Sequence, residues 1–174
     1  MAAVLNQLDD LEIGLCLKVN RLGNIRVIRR FFSVISRLGD GGFWVALGIG
    51  LVMYRGSGIL PDLARITATS LVGIVIYKSL KGHLLRERPY ITHHGIRLGE
   101  KPLDRYSFPS GHTLHAAGLA TMLVHLEPSL HVIAVPFAVL VALSRIVLGL
   151  HYPSDVLVGA AIGILLAAAS IACS

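Results

Sequence analysis

The sequence predicts an all-α integral membrane helical bundle, with about five transmembrane helices following N-terminal interfacial amphipathic helices. Three observations predict it. Apolar residues make up 54% of the chain and charged residues only 15%, at a mean hydropathy of +0.70, which is too apolar for an ordinary water-soluble domain. The apolar residues gather into segments close to the ~20 residues that cross ~30 Å of hydrocarbon at ~1.5 Å per residue. The polar residues are collected between those segments.

Residues 4–20 carry apolar positions at helical spacing, but Asp9, Asp10, Glu12 and Lys18 make one face too polar to cross a bilayer. An interfacial helix is the simplest reading. Residues 21–38 place Arg21, Arg26, Arg29, Arg30 and Arg37 among Ile25, Val27, Ile28, Phe31 and Phe32. They are either a second interfacial helix against anionic headgroups or a solvated basic face. Gly39-Asp40-Gly41-Gly42 is expected to break the helix. The chain is thus read as one domain overall, with interfacial helices over 1–38 and a transmembrane unit over 39–174.

The first span starts at Phe43 and is closed by Arg55-Gly56-Ser57-Gly58. The second opens at Pro61-Asp62 and ends near Lys81. Residues 112–126, 130–148 and 156–173 supply the other three, some only with tilt or bilayer thinning. No signal peptide is visible, because Asp9, Asp10 and Glu12 stand where a basic leader would be expected. Cys16 and Cys173 have neither a disulfide pattern nor zinc-ligand spacing and are read as packing residues.

The short connections 55–61 and 127–130 fall on one side of the membrane. The long stretch 82–110 and the link 149–155 fall on the other, which brings three polar clusters to one face. The formal charge of +6 points to an anionic partner. Aromatic residues are only 6%, and the basic residues alternate with membrane-length segments. Lipid headgroups or a phosphate substrate fit this better than nucleic acid. Nothing in the sequence fixes an oligomeric state.

The first cluster is Lys81-Gly82-His83-Leu84-Leu85-Arg86-Glu87-Arg88-Pro89. The second is Pro109-Ser110-Gly111-His112. The third is Ser144-Arg145 followed by His151 and Asp155. Together they resemble the three-part signature of the type 2 phosphatidic acid phosphatase (PAP2) superfamily, K-x6-RP, PSGH and SR-x5-H-x3-D, with all eleven signature residues in order and at the right internal spacing. The resemblance implies a PAP2/haloperoxidase-like helical core and a membrane phosphatase. It also implies His151 as the nucleophile that forms a phosphohistidine, and His112 as the acid that protonates the leaving oxygen and then the base that activates water.

The residue chemistry agrees with this on its own terms. A phosphate ester is an anion whose transfer needs charge stabilisation and positioning. Lys81, Arg88 and Arg145 supply three cations, and the two guanidinium forks suit phosphate oxygens. Ser110-Gly111-His112 lies where a loop enters a helix, so unpaired amides and a hydroxyl are available to an oxyanion. Asp155 falls near the start of the last helix, within reach of His151, where a carboxylate fixes the imidazole tautomer. Asp155 is the only carboxylate in the signature, a poor magnesium site, so no metal or other cofactor is expected. His93 and His94 diverge as neighbours in a loop and are read as surface residues.

Other residues receive plainer readings. Lys78, Arg86 and Arg97 are read as membrane-edge anchors, and Glu100, Lys101, Asp104 and Arg105 as decoration of a solvated loop. His115 is read as packing. Only nineteen residues separate Pro89 from Pro109, too few for a large cap, so a lipid phosphate entering from the bilayer is the expected substrate. Among small bacterial relatives, undecaprenyl diphosphate leads, with phosphatidylglycerophosphate, phosphatidic acid and lipid A phosphates as alternatives. A soluble phosphate ester, as in glucose-6-phosphatase relatives, is a second reading, a vanadium haloperoxidase a third and a non-enzymatic channel or transporter a fourth. Family precedent puts the site on the periplasmic side of a bacterial inner membrane. Yet, leaving out Lys81, Arg88 and Arg145, eleven of the other thirteen Lys and Arg lie on that side, which by the positive-inside rule would turn it to the cytoplasm.

Overall fold

Where the apolar runs stop, the backbone carries residues that cannot continue a helix, and these set the element boundaries. The structure is a computed structural model; it describes residues 2–102 and 104–173, with side chains from residue 11 on. The charged side chains of Asp9 and Asp10 therefore lie outside the described ones. Among the described residues, eight α-helices follow one another: α1 (Ala2–Leu22), α2 (Arg26–Arg37), α3 (Phe43–Arg55), α4 (Leu60–Leu84), α5 (Pro89–Thr92), α6 (Gly111–Leu126), α7 (His131–Val147) and α8 (Pro153–Ala172). No strand occurs among the described residues. Gly56 (φ 78) closes α3, and Gly149 (φ 73) turns the chain after α7. A proline stands in the first turn of α4, α5 and α8, where its missing N–H costs nothing.

The expected break at residues 39–42 is a kink inside a longer helical run. Leu38–Gly42 form one wide π turn with Gly41 at φ 142, a conformation that glycine adopts without strain. Gly39 presses this turn onto α7, where a Cβ would come within 2.8 Å of Val141 Cγ2. The boundary drawn at residue 38 thus falls within Arg26–Arg55, a run with the length and hydropathy of a membrane span. The second expected interfacial segment packs on α7 with Ser36 buried, while Arg26, Arg30 and Arg37 remain exposed.

Among the described residues, four helical runs are long and apolar enough to cross a membrane: Arg26–Arg55, Ser57–Thr92, Pro128–Val147 and Pro153–Ala172. The fifth expected span, α6, has 16 residues, about 24 Å at ~1.5 Å each. It packs against α4, α7 and α8, so its neighbours, more than lipid, surround it. Glycines bring α6 and α8 into near backbone contact: a Cβ on Gly163 would collide with the Leu114 carbonyl oxygen, and one on Gly118 would lie 3.1 Å from Gly163 O. Such small-residue contacts replace the hydrophobic effect as the glue between helices in lipid. Phe43 stacks on Phe137 at 3.6 Å between centroids and seats α3 on α7. Val45, Met53, Leu71, Val75, Val132 and Leu157 stay exposed on the outside of the bundle, as lipid-facing residues do.

α1 lies against the C-terminal end of α7 and the start of α8. Asn20 ties it there, donating to the carbonyls of Arg97 and Val147 (both 2.9 Å) and accepting from Arg97 N (2.8 Å). The end of the bundle beneath α1 is where the polar clusters meet.

Candidate active site

Six chain segments deliver the signature side chains to this end. Lys81 comes from the last turn of α4, Arg88 from the residue capping α5, Gly111 and His112 from the first turn of α6, and Arg145 from the last turn of α7. His151 comes from the tight link between α7 and α8. That link winds on itself: Leu150 N and His151 N both donate to Arg145 O, at 3.0 and 3.1 Å. Gly149 is required there, because a Cβ would lie 2.8 Å from Arg97 O. Asp155 follows in the first turn of α8 and accepts from Tyr152 N at 2.8 Å, closing the helix start.

Lys81, Arg88, Gly111, His112, Arg145 and His151 line one cavity of about 310 Å³. Ser110 and Asp155 stand behind its wall. Ser110, expected to offer its hydroxyl to the oxyanion, is buried with Oγ 3.0 Å from Thr113 Oγ1, and its N–H donates to Asp155 O. It holds the loop against α8, where a Cβ on Gly159 would be 2.6 Å from Ser110 O.

Arg88 organises the centre. Its Nη1 donates to Leu150 O at 2.8 Å and lies 3.3 Å from His151 Nε2; its Nη2 donates to Asp104 Oδ1 at 2.7 Å. Arginine has only donors, so His151 Nε2 is the acceptor and its lone pair is turned to Arg88 at the edge of the cationic cavity. The proton then sits on Nδ1, on the Asp155 side. The expected hydrogen bond there is not made: Nδ1 is buried without a hydrogen-bond partner, 3.6 Å from Asp155 Oδ2, and the carboxylate's short contacts go to Tyr152 N and to Arg86 Nη1 (2.8 Å each). Burial, then the charges of Arg145, Arg88 and Lys81, hold the His151 imidazole well below its ordinary pKa, so the free enzyme presents it neutral.

Four residues that the sequence left outside the site belong to its frame. Asp104, expected on a solvated loop, bridges the cations: both carboxylate oxygens accept from Lys81 Nζ, at 2.8 and 2.7 Å, beside the bond from Arg88. Burial raises the Asp104 pKa, but Lys81 and Arg88 more than offset this and leave it below the usual carboxylate range. Arg86, expected as an anchor, bridges Asp155 and Glu12 (2.8 Å each) and stacks on the Tyr152 ring. Glu12, expected on a solvated face of α1, accepts from Ser154 N at 2.7 Å at the start of α8. Asp40, in the π turn, pairs with His112 Nε2. No sequence signal marks these four, since their partners lie between 16 and 142 positions away.

The polar cavity continues into an apolar groove of about 500 Å³ between α3 and α4. Gly41, Trp44, Ser70 and Leu119 belong to both, so an anionic head and an apolar tail could be held by one molecule's length of surface. His115, with its ring edge-on to Tyr77, also lines the polar cavity.

Comparison with known proteins bears on this geometry. The family described as the PAP2 superfamily matches residues 62–174. Phosphatidylglycerophosphatase B of Bacillus subtilis is 34% identical over 152 residues, 76% of this chain and 68% of that protein. Undecaprenyl-diphosphatase of Sulfolobus acidocaldarius is 26% identical over 148 residues, 84% of this chain and 70% of that protein. The crystal structure of Aquifex aeolicus LpxE superposes with a TM-score of 0.75 at 32% identity, covering 88% of this chain and 92% of that one.

Proposed function

The chain belongs to the PAP2 superfamily and is a multi-pass membrane phosphatase acting on lipid phosphates, and from that premise we propose that it works through a phosphohistidine on His151 without a metal. One observation carries this reading: the buried His151 lines one cavity with Lys81, Arg88 and Arg145, and its Nε2 lies 3.3 Å from Arg88 Nη1 on that cationic side. The cations and the first amides of α6 hold the phosphoryl oxygens and their growing charge. His151 Nε2 forms the N–P bond as the P–O bond to the lipid breaks. The imidazolium that results keeps its Nδ1 proton facing Asp155, the one carboxylate in range. His112 gives a proton to the leaving oxygen, then takes one from the water that cleaves the N–P bond.

Undecaprenyl diphosphate is the leading substrate, with phosphatidylglycerophosphate, phosphatidic acid and lipid A phosphates as alternatives. The groove between α3 and α4 supports a lipid tail over a soluble ester, since its lining is apolar apart from Thr67 and Ser70. Phosphate release should be measured from these four lipids in detergent with EDTA present, wild type beside His151→Ala. The reading expects release highest from undecaprenyl diphosphate, and none from the variant. Faster release from another lipid reassigns the substrate; wild-type turnover in the variant removes the nucleophile.

The reading also puts the site on the periplasmic face of a bacterial inner membrane, on the precedent of relatives and against the charge count. A cysteine introduced at Leu98, with Cys16 and Cys173 replaced, should react with an impermeant maleimide in intact cells. Reaction only after lysis would turn the site to the cytoplasm.

A further inference from the structure

We propose that Asp40 is a positioning residue for His112, fixing which imidazole nitrogen exchanges protons with the substrate. This rests on the phosphatase reading above and adds a residue outside the three signature clusters. The observation is direct: Asp40 Oδ1 contacts His112 Nε2, and both residues line the phosphate cavity. The backbone explains how the carboxylate gets there. The wide turn Leu38–Gly42 projects Asp40 where a regular helix joining α2 to α3 would place it elsewhere. Gly39 clamps that turn against Val141, and Gly41 at φ 142 lets the chain leave it.

The consequence is a defined proton path. With Nε2–H donating to Asp40, Nδ1 is the nitrogen left for chemistry. In the first half-reaction His112 is an imidazolium; Nδ1–H passes its proton to the lipid oxygen as the P–O bond breaks, leaving the Nε2–H tautomer. In the second half-reaction Nδ1 takes a proton from water as the water oxygen joins phosphorus and the N–P bond breaks. The Asp40 carboxylate stabilises the imidazolium at both ends of the cycle, and it opposes a strongly positive surrounding. Arg145 faces the pair from α7, Lys81 from α4, Arg37 from the preceding turn of α2, and Arg88 and His151 from the connecting links; Asp104 and Glu100 are the other nearby carboxylates, and His115 lies one turn along α6. Without Asp40, the cations alone would act on the His112 proton.

The test compares Asp40→Asn, Asp40→Glu, His112→Ala and Asp40→Asn/His112→Ala on two substrates, the best lipid phosphate and p-nitrophenyl phosphate, whose leaving group needs no proton. Asp40→Asn should lose roughly tenfold to hundredfold in kcat/KM on the lipid, the parameter that reports the first half-reaction, at or below the ~10²–10⁴-fold of a general acid itself, and about threefold or less in kcat/KM on the aryl ester. Its basic pH limb on the lipid should move to lower pH, and the double variant should be no slower than His112→Ala. Asp40→Glu should restore the position of the basic limb. Equal losses on both substrates, or an unmoved limb, would overturn the proposal. If Asp40→Asn does not fold in detergent, Asp40→Glu decides: a wild-type limb supports the role, a displaced one refutes it. Wild type inactive on every phosphate ester would sink the phosphatase reading together with this one. His112→Ala behaving as a missing acid while Asp40→Asn matches wild type would sink this one alone.

Discussion

At the scale of single residues, the site is built from charges that the membrane would otherwise reject. Lys81, Arg88 and Arg145 are buried together with His151, and each buried cation costs several kcal/mol unless it is paired. Asp104 answers two of them, carbonyl oxygens of Tyr106, Leu150 and Asp104 accept further bonds, and Ser36 Oγ accepts from Arg145 at 2.5 Å. His151 pays the other way, by staying neutral. Its folded pKa lies below its unfolded value of ~6.5, so between the two the unfolded chain takes up a proton that the folded chain refuses. The stability this represents is present above pH ~6.5 and is lost as pH falls, by at most about 1.4 kcal/mol per pH unit. Melting in detergent from pH 8 to pH 5 should fall more steeply for wild type than for His151→Gln. Parallel slopes would mean that His151 is not held neutral. The signature positions were legible in the sequence because their chemistry is local to three short clusters. Asp40, Asp104, Arg86 and Glu12 were not, since a lone carboxylate or arginine looks the same in a sequence whether it meets solvent or a distant partner.

At the scale of elements, α1 acts as a strap across the mouth of the bundle. Glu12 reaches the N–H of Ser154 and, through Arg86, the carboxylate of Asp155; Asn20 fixes the other end to the Arg97 and Val147 backbones. Glu12→Ala leaves the Ser154 amide without its acceptor, Arg86 with one carboxylate fewer, and Asp155 less firmly held. It should cost about 1–3 kcal/mol of stability and lower kcat more than it raises KM. Unchanged melting and turnover would show that α1 merely rests on the surface. Amphipathicity placed α1 at an interface, but periodicity cannot say that one of its polar residues caps another helix. The kink at Gly41 was legible as a break and not as a joint, because glycine reports a permitted φ and not the direction the chain takes next. α6 was read as a spanning helix from its hydropathy; its glycine contacts with α8 explain why 16 residues suffice at the centre of the bundle.

At the scale of the molecule, long apolar helices carry exposed aliphatic side chains outward and gather every signature cluster at one end. The polar cavity and the apolar groove meet at Gly41, Trp44, Ser70 and Leu119, which under the proposed function places the head and tail of a lipid at the boundary between two solvents. The membrane architecture was legible from composition because the bilayer imposes length and apolarity on any helix that crosses it. The groove was not, since it depends on how α3 and α4 diverge. The measurement closest to the central claim is rapid acid-free quenching of wild type during turnover of a 32P-labelled lipid phosphate, followed by peptide mapping. The account predicts an alkali-stable, acid-labile label on His151 that forms and decays at the rate of turnover and is absent from His151→Ala. A label on any other residue, or turnover in His151→Ala at the wild-type rate, would contradict it.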